Sequence, residues 1–297
     1  MGPWDAAAVA VKAVLYGATL AAAGGVFFLT YSASLLEALD RAAIRRRVAL
    51  LTAVAMVATA ARILVTAASM SGEASGMLDA GLLGLVWHGG EGRAAVVRAA
   101  GLLLPAPALA TDRRPRVWAN AGACGAATSF AWVGHIHIHG LRWTALVLAI
   151  HLLAAAFWVG ALWPLRLLTR GDDAGRVAAV VARFGSLALG AVGLLVLAGI
   201  VVLATLLGSA SELWRSDYGR VACIKLALVG CLLAFAAFNK LRLTPRLSAG
   251  LCEPGLRAPG DRAAARALSR SIGAEMALAG AIFLATAALT SLSGPPA

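Results

Sequence analysis

Eight mostly apolar stretches dominate this sequence, each near the roughly 20 residues that a helix needs to cross a bilayer. They lie at about 8–36, 48–70, 94–110, 117–139, 143–168, 184–207, 218–243 and 271–292. A soluble domain carries about 25% charged residues, whereas here charged residues make up 13% and hydrophobic ones 61%. That balance excludes a soluble enzyme and predicts an all-α, polytopic membrane bundle of about eight helices in a single domain, residues 1–297. The third stretch is the weakest, because Arg98 lies within it and Pro105 and Pro107 cut it short. The apolar segment 78–86 just before it is too short to cross and reads as interfacial.

Net charge is +12, which in a soluble protein would suggest nucleic acid. The placement of the charges argues otherwise. Eighteen Lys and Arg fall after stretches 1, 3, 5 and 7, among them Arg41, Arg45, Arg46, Arg47, Arg166, Arg176, Arg183, Lys240 and Arg270, against four (Arg93, Arg142, Arg215, Arg220) on the other side. Basic loops stay in the cytoplasm, so both termini are expected in the periplasm of a bacterial-type inner membrane, with no nucleic-acid partner. The longest connection, at about 244–270, is rich in Pro and Gly and reads as a cytoplasmic surface loop. Residues 1–5 lack a basic n-region, so the amino-terminal stretch reads as a first transmembrane helix rather than a signal peptide. The four cysteines form no CxxC or CxxCH pair, which favours small buried hydrophobes over a disulfide framework or haem c attachment. No GxxxxGK[ST] loop is present for nucleotide.

Charged or imidazole side chains inside a membrane bundle cost free energy and mark candidate sites. All five histidines lie toward the outer face: His88 before stretch 3, His135, His137 and His139 at the end of stretch 4, and His151 inside stretch 5. On a helix His135 and His139 share a face and His137 points elsewhere. A turn near Gly140 places His135 and His151 at comparable depth. Converging neutral imidazoles suit a transition metal such as copper, zinc or nickel. Haem b held by His135 and His151 as paired axial ligands is the alternative. Within the spans, Arg62 and Glu275 are expected to face the bundle interior, Lys225 lies about two turns inside stretch 7, and Lys12 is near enough to an end to snorkel. Trp158 reads as a packing anchor. Met276 and Met56 are too isolated to form a methionine ladder.

Four separated blocks, HLLAAAFWVGALWPL from His151, RFGSLALGAVGLLVLAGIV, YGRVACIKLALVGCLLAFAAFNKLRLTPRL and SIGAEMALAGAIFLATAAL, resemble the copper resistance protein D (CopD) family in order and spacing over the second half of the chain. The first half resembles it in its number of spans and its outward histidines. The resemblance implies a non-enzymatic, eight-helix inner-membrane protein of copper uptake or tolerance that works with a separate periplasmic CopC-like copper-binding protein. It maps a family histidine and Trp-Val-Gly onto His151 and Trp158–Gly160, a Tyr-Gly-Arg and a lysine onto Tyr218–Arg220 and Lys225, an Asn onto Asn239 and a Glu onto Glu275. The expected metal residues are therefore His135, His137, His139, His151 and His88. The expected polar path or packing residues are Arg62, Trp158, Lys225, Asn239, Glu275 and Met276. A non-transporting copper sensor or tolerance factor is the remaining reading.

Overall fold

A computed structural model describes residues 3–110, 117–133, 142–171, 174–207, 211–245 and 259–292. All regular structure among them is helical: α1 (Pro3–Tyr31), α2 (Ala38–Ser71), α3 (Ala80–His88), α4 (Gly90–Leu103), α5 (Ala106–Ala110), α6 (Val117–Thr128), α7 (Arg142–Leu168), α8 (Ala174–Leu207), α9 (Glu212–Arg215), α10 (Asp217–Phe238) and α11 (Pro259–Leu292). A 3₁₀ turn, Ser129–Trp132, extends α6, and a π-helical turn, Asn239–Leu243, extends α10. Local chemistry sets several boundaries. Gly72 ends α2 in the left-handed region at φ 78° and returns its N–H to Ala68 O at 2.9 Å. Asp79 caps α3 by accepting from the N–H groups of Gly81 and Leu82 at 2.8 and 3.0 Å.

Seven helices among the described residues are long and apolar enough to cross a membrane. The stretch at 117–139 differs from expectation: its α-helix stops at Thr128 and the 3₁₀ turn carries it only to Trp132. Twelve α-helical residues and four 3₁₀ residues reach about 26 Å, just short of the roughly 30 Å hydrocarbon thickness. Residues 134–141, which hold His135, His137 and His139, lie outside the described residues.

The basic loops are shorter than expected. Arg41, Arg45, Arg46 and Arg47 lie within α2, Arg176 and Arg183 within α8, and residues 259–270 of the anticipated 244–270 loop within α11. Arg and Lys are good helix formers, so helices continue past the apolar stretch that first reveals them.

α1 is the central helix, packed on α2, α6, α7 and α11. Its tightest contact is with α7, where Gly24 and Gly160 meet backbone to backbone. Pro164, inside α7, has no N–H to give the Gly160 carbonyl one turn earlier. At one end of the bundle the Lys12 ammonium donates to Thr290 O at 2.8 Å and the Trp4 indole N–H donates to Gly72 O at 3.0 Å. At the other end Arg176 pairs with Glu37 and Asp40, and Lys240 donates to Gly185 O at 3.2 Å. The first turns of α1 and the last turn of α11 thus share one end, and the arginine-rich segments share the other. α8 and α10 form the periphery, and their Leu189, Leu194, Leu197, Ile200, Ile224 and Phe238 are exposed. In a bilayer those side chains meet acyl chains rather than water, which removes the cost of exposing them.

Candidate functional site

His151 lies on α7 about two and a half turns from its start, half-buried against α8. Its Nδ1 donates to Leu195 O at 3.0 Å. A carbonyl can only accept, so in the neutral ring this contact places the proton on Nδ1 and leaves the lone pair on Nε2. Metal-binding histidines commonly hold their second nitrogen in this way. Gly199 on α8 eases the approach, because a Cβ there would sit 3.1 Å from the His151 Cε1. Lys225 lies on α10 about two turns from its start.

Seven residues further along α7 is Trp158. An i, i+7 step returns to the same helix face about 10 Å deeper, so His151 and Trp158 mark one stripe. The Trp158 indole N–H donates to Glu275 Oε2 at 3.4 Å, and the Asn239 Nδ2 donates to Glu275 Oε1. Glu275, on α11, is 4% exposed and Asn239 is 8% exposed. Three helices are therefore tied at one buried carboxylate: α7 through Trp158, α10 through Asn239 and α11 through Glu275. Asn239 opens the π-helical turn, where the i→i+5 ring widens the helix. Ser271, one turn before Glu275 on α11, is also 8% exposed. Neither its hydroxyl nor the Asn239 Oδ1 has a hydrogen-bond partner. Sequence reading passed over Ser271, although its i, i+4 spacing from Glu275 was a usable signal. Met276 packs against the apolar core.

The remaining polar residues form a second group in the first half of the chain. Arg62 pairs with Glu91 at the start of α4, with Nε and NH2 donating to Oε1 at 3.1 and 2.9 Å. Arg98, 1% exposed, donates to the Ser129 hydroxyl at 3.0 Å and stacks over Phe130 at 4.3 Å. Lys12 lies on the last carbonyls of α11, the negative end of that helix dipole. Each cation thus has a local partner, and the group knits helix ends together. Glu91 escaped sequence reading because its partner lies 29 residues away on another helix. Breaking this pair is expected to cost about 3 kcal/mol, the low end for a buried pair because the side chains keep 14% and 19% exposure. In thermal or chemical denaturation Glu91→Leu should be clearly destabilised, while Arg62→Leu with Glu91→Leu should recover much of the loss. Losses that simply add would contradict the pairing.

His88 ends α3, is exposed, and its Nδ1 lies 2.8 Å from Gly84 O in its own helix. Among the described residues no three His, Cys, Asp or Glu side chains converge as a metal cluster. Any such cluster at His151 must draw on residues outside them.

A chain with two buried polar groups inside an apolar helical bundle can be set beside known families. No curated protein and no solved structure matches it. Two family models do: the copper resistance protein D-like N-terminal domain over residues 3–142, and copper resistance protein D over residues 178–289. The first reaches into the half of the chain where the sequence blocks had been least distinctive. Together the two matches cover most of the chain, and on that basis the chain belongs to the copper resistance protein D family.

Proposed function

We propose that this protein carries copper across a bacterial-type inner membrane, taking it up at imidazoles on the periplasmic side. The observation that carries the reading is the His151 Nδ1 contact with Leu195 O, which leaves Nε2 free to ligate. His135, His137 and His139 precede α7 by only a few residues and supply the further nitrogen donors. Imidazole donors without a thioether or thiolate ladder favour Cu(II) over Cu(I). The arginine-rich end of the bundle is the cytoplasmic end by the positive-inside rule, so the end shared by Lys12 and Thr290 is periplasmic and both termini lie there. On this reading the chain makes eight crossings, the fourth counted from the apolar stretch 117–139. Copper bound outside is delivered by a periplasmic CopC-like protein.

The test is uptake of radioactive copper into proteoliposomes holding the purified full-length protein. Accumulation well above that of protein-free liposomes is expected, together with an absorption spectrum lacking a Soret band. Uptake equal to that of empty liposomes would contradict transport, and a Soret band would favour paired-histidine haem binding instead.

A further inference from the structure

We infer that the Glu275 carboxylate, with Asn239 and Ser271, is a binding site for a hard monovalent cation, a proton or Na⁺, separate from the copper ligands. This goes beyond the copper reading and does not depend on it. Glu275 is 4% exposed and accepts two N–H groups, from Trp158 and Asn239, as an ionised carboxylate does. The described cations on the elements packed around it do not pair with it, although Arg166 and Arg47 each keep a buried Nε without a hydrogen-bond partner. Arg166 of α7 lies against Gly273, Arg47 of α2 stacks over the Trp163 ring at 5.5 Å, and Lys240 of the π-helical turn donates to Gly185 O. Lys12 of α1 is bound at Thr290 O near the far end of α11. Among the described residues no Lys or Arg forms an ion pair with Glu275.

A buried carboxylate with no counter-cation costs several kcal/mol, and a bound cation removes that cost. The atoms left over at this spot are oxygens. The Asn239 Oδ1 belongs to the same amide that touches Glu275, and the Ser271 hydroxyl lies one turn along the same face of α11; both are buried and unpartnered. Oxygen-only donors suit a proton or a hard cation, whereas copper favours nitrogen and sulfur. A π-helical turn at the same point is a recurrent feature of functional sites.

The test is infrared difference spectroscopy of the full-length protein in lipid, following the carbonyl stretch of a protonated carboxylic acid. Wild type and Glu275→Gln are compared in acidic and alkaline buffer, with Na⁺ or with choline. Gln preserves the packing, because the Asn239 amide can turn to accept from it. A band that grows on acidification in wild type and is missing in Glu275→Gln is expected. If Na⁺ suppresses that band relative to choline, Na⁺ shares the site; if the two salts agree, the proton is its occupant. Asn239→Leu separates the same two arms. Loss of Oδ1 should raise the Na⁺ needed for half-occupancy about tenfold, the effect of losing one good contact, while loss of the N–H that holds the anion should let the acid form in less acidic buffer. The inference is overturned if wild type shows no carboxyl band beyond that of Glu275→Gln under any of these conditions, or if copper removes the band and Na⁺ and alkali do not. Copper uptake plays no part in this readout, so failure here is distinguishable from failure of the transport reading.

Discussion

Gly160→Leu should abolish recovery of folded protein. A Cβ at Gly160 would overlap the Gly24 backbone, and one at Gly24 would overlap the Ala156 carbonyl. Backbone atoms cannot rotate aside as a flexible side chain can, and α1 is held on its other sides by α2, α6 and α11, so it cannot withdraw. Overpacking a core costs about 1–3 kcal/mol even where side chains can adjust; against backbone the loss should exceed about 3 kcal/mol. Gly190→Leu is the control, because nothing lies within 4 Å of the position its Cβ would take on the outer side of α8. Size-exclusion profiles and melting curves in detergent should show Gly190→Leu close to wild type and Gly160→Leu aggregated or absent. A monodisperse Gly160→Leu with an unchanged melting curve would refute the crossing of α1 and α7.

The position of Gly160 next to Trp158 explains why a Trp-Val-Gly string matters in this chain. Trp158 reaches Glu275 on one side of α7 and Gly160 admits α1 on another. The string was visible in the sequence, but not what each residue meets, because small-residue patterns mark close approach without naming the partner helix. The spans themselves were legible, since a bilayer imposes a length and a hydropathy on each. That Glu275 turns inward followed from the cost of a carboxylate in lipid; that Asn239, Trp158 and Ser271 surround it is a matter of tertiary packing. Arg62 shows the same division: its need for a partner could be read from one helix, and Glu91 as that partner could not. Helix ends were least legible, because α2, α8 and α11 run on through basic residues that hydropathy assigns to loops. Of the apolar stretch 117–139, α6 holds only 12 residues, since hydropathy marks a span without fixing where its α-helix ends.

The most direct measurement of the central claim, that copper is taken up at His151 with the histidines preceding α7, is copper titration calorimetry of the purified protein and its four single His→Ala variants. Losing even an outer partner of a metal ligand costs about 10–100-fold in affinity, so His151→Ala and His135→Ala should each bind copper at least about a hundredfold more weakly. If residues 135–139 are helical, His139→Ala should be weakened and His137→Ala least affected, since His137 lies off the face shared by the other two. If they are extended, all three share a face and His137→Ala should lose as much as its neighbours. Wild-type affinity in both His151→Ala and His135→Ala would contradict the imidazole site.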